Sequence, residues 1–73
     1  MTYQAESENH AATMVDLFNS RFTLLEAIRT DYFELSIGCR VKLGEIEKRA
    51  LMLAASSYLK TLGAERVHFS AAR

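Results

Sequence analysis

One stretch of 22 residues, from Met14 to Leu35, constrains this chain more than any other. On a helical wheel at about 100° per residue, its side chains separate into an apolar arc and a polar arc. Only Arg21 and Arg29 fall inside the apolar arc, and their long stems can lie along such a surface with the guanidinium in water. The pattern predicts one long amphipathic helix, from about residue 9 to about residue 37, that ends at Gly38.

A second helical pattern begins at Gly44 or Glu45 and ends at Gly63. Acidic residues in its first turn and Lys60 in its last turn favour the helix dipole. Its apolar residues fall on two sides of the wheel. The broad side carries Ile46, Ala50, Leu51, Leu53, Ala54, Ala55, Tyr58 and Leu62, and the opposite side carries Met52 and Leu59. A helix that is apolar on two sides is usually covered on two sides.

The favoured fold is mainly α, because the chain has no proline and only three glycines. It is a helical hairpin of residues 9–37 and 45–62 within one small domain, 1–73, with a flexible lead at 1–8 and a C-terminal tail at 64–73. The apolar arc of the first helix is wider than one packing partner covers. We therefore expect the hairpin to complete its core by self-association or by docking on another protein.

A competing pattern runs through residues 33–44, which alternate apolar and polar side chains without a break. Such alternation is typical of a strand and predicts a small α+β domain, with a strand or hairpin near 33–43 and a short strand near 65–70. Residues 32–35 also keep phase with the helix, and Asp31 with Glu34 resembles an internal capping box. The helix is the favoured interpretation of residues 31–37.

No pattern in the sequence predicts a catalytic, metal-binding or cofactor-binding site. Cys39 is the only cysteine and lies in no recognised nucleophile context, and His10 and His68 are near opposite ends of the chain. Zinc sites need closely spaced Cys and His pairs, which are missing, and there is no glycine-rich phosphate loop. We expect no catalytic residue, no metal and no cofactor, so an enzyme that uses Cys39 is the least favoured hypothesis.

The location of the protein is predicted from three features. The longest apolar run, Ala50 to Ala55, is far shorter than a membrane span. The first ten residues lack the pattern of a signal peptide. A lone cysteine forms no intrachain disulfide, which is typical of a reducing compartment. These features predict a protein of the cytoplasm, or of a host cell's cytoplasm, without a membrane partner.

The favoured function is a non-enzymatic, small protein-binding module that acts through an apolar helical face. Regulators, adaptors and inhibitors of this kind include accessory proteins of phages and mobile elements, and the partner is another protein or a second copy. Aromatic residues and arginine carry most interface energy. The predicted partner-binding residues are Phe18, Phe22, Leu25, Arg29, Tyr32, Met52 and Leu59.

The alternative function is a small nucleic-acid-binding regulator. Residues 40–73 carry seven bases and three acids, a net charge of +4, whereas residues 1–39 carry two bases and six acids, a net charge of −4. The predicted nucleic-acid-binding residues are Arg40, Lys42, Lys48 and Arg49. Glu45 and Glu47 lie inside this cluster and would repel phosphates, and the chain contains no base-reading motif. This function is therefore second.

Overall fold

A computed structural model describes residues 1–66, which form four strands and two helices. The elements are β1 (Thr2–Gln4), α1 (Glu8–Arg21), β2 (Leu25–Arg29), β3 (Glu34–Cys39), α2 (Glu45–Thr61) and β4 (Glu65–Arg66). The strands form one sheet in the order β2-β3-β1-β4, and every neighbouring pair is antiparallel. The element order βαββαβ is that of the ferredoxin-like plan. Such a plan hosts many unrelated functions, so it does not identify one here.

The core lies between one face of the sheet and the two helices. Alternation along β2 and β3 turns Leu25, Ala27, Leu35 and Ile37 inward, where all four are buried. The largest fully buried side chains are Tyr3, Phe18, Met14, Leu25, Leu35 and Leu59. They come from both helices and from the three longest strands, so a single apolar core joins the two layers.

The predicted long helix is wrong, because α1 stops at Arg21. Ser7 caps its start, where the hydroxyl oxygen accepts a hydrogen bond from the His10 N–H at 3.1 Å. At its end, Phe22 turns to an extended conformation while its N–H still donates to the Phe18 carbonyl at 2.9 Å. The chain then enters the sheet, and the mainly α hairpin is replaced by the α+β alternative, which the structure confirms.

The turn between β2 and β3 explains why the helical pattern misleads. The Thr30 N–H donates to the Glu34 carbonyl at 2.9 Å, and the Asp31 carboxylate accepts from the Tyr32 N–H at 2.8 Å. Asp31 and Glu34, which resemble a capping box, therefore close a β-turn region. Backbone pairing of β2 with β3 and burial of Leu25 outweigh the helical periodicity of the same residues.

Other boundaries follow the sequence more closely. The second helix is confirmed, since α2 begins after Gly44 and ends before Gly63, whose φ of +92° suits glycine. The predicted short strand near 65–70 appears as β4 at Glu65–Arg66, and the remainder of the tail lies outside the described residues. The predicted flexible lead instead holds β1, a central strand of the sheet.

Within residues 1–66, neither helix is both long enough and apolar enough to cross a membrane.

Candidate association surface

Helix α2 uses one side to close the core. Ala55 and Leu59 are fully buried there. The Tyr58 ring lies 5.8 Å from the Phe22 ring, between centroids, and the Arg21 guanidinium lies 4.9 Å from the Tyr58 centroid. These contacts dock the middle and the C-terminal half of α2 on the end of α1.

Within residues 1–66, nothing covers the other side of α2. We call Ile46, Ala50, Leu53 and Ser57 the α2 outer face; all four are exposed, with 85% of Ile46 and 67% of Leu53 accessible. Residues 45–50 are exposed at every position, so the first turn and a half of the helix lies beyond the core. Two large apolar side chains on an unpacked helix surface are typical of a contact site.

An open groove borders this face, between α2 and the segment that joins α1 to β2. Its lining includes Arg21, Phe22, Thr23, Leu24, Leu51, Ala54, Ser57, Tyr58 and Thr61. Ser57 belongs to both the groove and the α2 outer face. The groove therefore extends the accessible apolar surface from α2 toward the end of α1.

The two ends of α2 are held differently. At the start, the Glu47 carboxylate accepts a hydrogen bond from the Gly44 N–H at 3.2 Å, a contact local to the first turn. At the far end, His10 Nε2 lies 2.7 Å from the Leu62 carbonyl, and His10 Nδ1 accepts from the Glu6 N–H. A neutral ring with its proton on Nε2 satisfies both contacts. Helix α2 is thus tied to α1 at its C-terminal end.

A second route to protein association, strand addition at the sheet edge, is obstructed at β2. The Asn19 side chain accepts from the Ala27 N–H at 2.9 Å and donates to the Ala27 carbonyl at 3.1 Å. The Arg40 Nε donates to the Leu25 carbonyl at 3.1 Å. The Asn19 amide occupies the place of a neighbouring strand, which is one way that proteins protect an edge.

The predicted partner-binding residues do not form one surface. Phe18, Leu25 and Leu59 lie fully buried in the core, and Phe22 and Met52 are half-buried against it. Arg29 and Tyr32 are exposed, at the end of β2 and in the turn that follows. The Arg29 guanidinium donates to the Glu8 carbonyl at 3.4 Å. Within residues 1–66, only Tyr32 and Arg29 of this set are largely accessible.

Sequence reasoning missed Ile46 and Leu53 as contact residues. Both lie on the broad apolar side of the helical wheel, which a hairpin would bury as a whole. In the structure only part of that side, with Ala55, faces the core together with Leu59 of the narrow side, and the part with Ile46 and Leu53 is exposed. A signal was present in the spacing. Residues 51, 55, 58, 59 and 62 form one stripe that faces the core, and residues 46, 50, 53 and 57 form a separate stripe.

The predicted basic cluster is on the surface. Arg40, Lys42, Lys48 and Arg49 are all exposed. Arg40 lies 4.0 Å from the Glu26 carboxylate, and the other three form no salt bridge within residues 1–66. Glu45 and Glu47 are exposed in the same segment, so the positive charge is interrupted.

The groups that could support catalysis are apart. His10 lies in the first turn of α1, whereas Cys39 pairs with Leu25, just beyond the other end of that helix. A 14-residue helix is roughly 20 Å long. The residues described by the structure contain no group of three or more potential metal ligands, and His68 lies outside them.

Searches against protein-family models, curated proteins and solved structures find no match to this chain.

Proposed function

We propose that this chain is a small, non-enzymatic protein-binding module whose contact surface is the α2 outer face. The observation that carries the proposal is the exposure of Ile46 and Leu53 on a helix whose opposite side packs on the core through Ala55 and Leu59. Burial of a side chain of this size contributes roughly 1.5–3 kcal/mol. A partner that covers both residues therefore gains a substantial part of its binding energy from two contacts.

The shape of the face favours a helical partner. Its large residues, Ile46 and Leu53, alternate with the smaller Ala50 and Ser57 along one line of α2. Small residues let a second backbone approach, while the large ones fill the spaces between the partner's side chains. An amphipathic helix that lies along α2 would use these positions as anchors.

Such a module acts by occupying a surface, as a regulator, adaptor or inhibitor does. We further propose that it works in a reducing, cytoplasmic compartment, where the exposed Cys39 thiol would stay reduced. A role as an accessory protein of a phage or mobile element belongs to the same proposal.

Site-specific photocrosslinking in producing cells tests this function. A photoreactive phenylalanine analogue at position 46 should give a discrete protein adduct upon illumination. The same analogue at position 28, an exposed site on the outer face of the sheet, is the matched control and should give none. Equal labelling at both positions, or no protein adduct at 46, would contradict the proposal.

Nucleic-acid binding is the second candidate function, and the exposed cluster at 40–49 favours it. Lys42, Lys48 and Arg49 are accessible and form no ion pair in the described part of the chain. Strands β1, β2 and β3 offer no stacking platform, because their outward residues include no aromatic side chain. A nucleic acid would therefore bind the connection between β3 and α2.

Gel shifts with mixed DNA and RNA at two salt concentrations separate the two functions. Binding that weakens steeply with salt and is lost in the Lys48→Glu/Arg49→Glu variant would favour nucleic-acid binding. The α2 outer face variant Leu53→Ser, which keeps all four cations, serves as the control and should bind nucleic acid normally.

A further inference from the structure

We infer that the partner of the α2 outer face is a second copy of this chain, with the two α2 helices packed antiparallel about a two-fold axis near Leu53. This inference rests on the proposed function, since it names the partner of the same surface. A symmetric pair requires a surface that is complementary to itself. The α2 outer face meets this requirement in its spacing and in its charge.

The spacing is that of a helix–helix seam. Ile46, Ala50, Leu53 and Ser57 follow one another at steps of four, three and four residues. This is the heptad rhythm by which two helices keep one stripe in contact. At about 1.5 Å per residue, the stripe is roughly 17 Å long and straight. Leu53 lies near its middle, where the two copies would cross.

The distribution of charged residues along α2 favours an antiparallel orientation of the two helices. The first turn of α2 carries Glu45 and Glu47, and its last turn carries Lys60. In a parallel pair, each of these residues would face its own copy, which places like charges together. In an antiparallel pair centred on Leu53, Glu45 lies beside Lys60 of the second copy, and Arg49 lies opposite the neutral Ser57. The helix dipoles also oppose each other favourably.

The monomer would keep its fold in this dimer. The residues of the seam make no contribution to the core, which α2 contacts through Ala55 and Leu59. A chain of 73 residues is close to the size at which one core is marginal, so the additional burial would stabilise it in a concentration-dependent way.

Sedimentation equilibrium over a concentration series tests the pairing. The wild-type chain should move from the monomer mass of 8.2 kDa toward twice that value. Leu53→Glu should remain monomeric with an unchanged circular dichroism spectrum, since it places a carboxylate at the centre of the seam. Ile28→Glu, on the outer face of the sheet, is the matched control and should dimerise as the wild type does. If Leu53→Glu fails to fold, Ile46→Ser replaces it.

Disulfide trapping tests the orientation. In a Cys39→Ser background, Leu53→Cys should form a homodimeric disulfide, and a mixture of Ile46→Cys with Lys60→Cys should form the mixed one. Ile46→Cys alone should not crosslink, because the two copies of residue 46 lie at opposite ends of the seam. A dominant disulfide between two copies of Ile46→Cys would overturn the antiparallel arrangement.

Charge reversal supplies an independent measure. Lys60→Glu should raise the dimer dissociation constant about two- to fivefold, as expected for the loss of an exposed ion pair. The double variant Glu45→Lys/Lys60→Glu should restore most of the affinity. An equal loss in the single and double variants would contradict the proposed contact.

The outcomes separate this inference from the function on which it rests. A wild-type chain that stays monomeric at all concentrations, but crosslinks through position 46 to a different protein, overturns the dimer and leaves the protein-binding function standing. A crosslink from position 46 to residues 67–73 of the same chain overturns both. A nucleic-acid adduct at 46, without a protein adduct, also overturns both.

Discussion

The two helices lie on the same face of the sheet but are held very differently. Helix α1 buries Ala11, Met14 and Phe18, and it reaches the sheet edge through Asn19. The first six residues of α2 are all exposed, and only Ala55 and Leu59 of that helix are buried. Stability is therefore concentrated where α1 meets the β2–β3 hairpin, while the start of α2 is left accessible to other molecules.

The largest expected effect is at the centre of the packed region. Phe18→Ala should lower the free energy of unfolding by about 3–5 kcal/mol, because the ring is fully enclosed and stacks at 4.5 Å on Phe22. Urea denaturation followed by circular dichroism measures this loss. The control is Leu17→Ala, at the exposed neighbouring position. Similar losses in the two variants would contradict the assignment of the core to this side of α1.

The next effect is expected at the edge of β2. Asn19→Ala removes two hydrogen bonds from Ala27 and should cost about 1–3 kcal/mol, since both backbone groups lose their partner. It should also increase self-association through the opened edge, as measured by light scattering. Ser20→Ala, on the exposed side of the same helix, is the matched control. Unchanged stability and scattering in Asn19→Ala would show that the edge does not need this contact.

A smaller effect is expected where α2 ends. Gly63→Ala should cost about 1–2 kcal/mol, because the residue has a φ of +92° and an added Cβ would lie 3.3 Å from the His10 ring. Gly38→Ala is the control, since nothing lies within 4 Å of an added Cβ there. Thermal melting of both variants compares them. Equal melting temperatures would mean that the contact between α1 and the end of α2 contributes little.

The smallest effect on monomer stability is expected on the α2 outer face. Ile46→Ser should change the free energy of unfolding by less than about 0.5 kcal/mol in dilute solution, because the side chain is almost fully exposed. The same replacement at the buried Ile37 should cost more than about 2 kcal/mol. Urea titrations at low protein concentration measure both. A large loss in Ile46→Ser would mean that the start of α2 is part of the folding core.

Local signals in the sequence predict the ends of α2, but not the end of α1 or the architecture. Glycines at 44 and 63 and acids in the first turn define α2 within one or two residues. Residues 33–37 satisfy helical and strand patterns together, and only the pairing of β2 with β3 decides between them. The central strand β1 has three residues and pairs with positions about thirty residues away, so no local pattern reveals it.

The predicted site depended on the favoured fold class, the mainly α hairpin, which is wrong. Aromatic and leucine residues were assigned to a partner because the predicted hairpin left them uncovered, whereas the sheet covers Phe18, Leu25 and Leu59. Because the sheet covers these residues, the large apolar side chains left exposed on a helix include Ile46 and Leu53 of α2. Which side of α2 faces the sheet depends on the docking of Tyr58 against Phe22, a contact between residues far apart in sequence.

The place of β1 at the centre of the sheet sets an order for folding. Thr2 pairs with Ser36 and Gln4 pairs with Glu34. Strand β1 therefore cannot pair with β3 until the β2–β3 hairpin has been synthesised. The hairpin closes over a short turn and needs no such delay. The Arg40 N–H donates to the Leu24 carbonyl across the hairpin at 2.9 Å. Pulse-labelled hydrogen exchange during refolding should therefore show protection of the Arg40 amide before that of Tyr3. The sheet is therefore completed when β1 inserts between β3 and β4, two strands that follow it in the sequence.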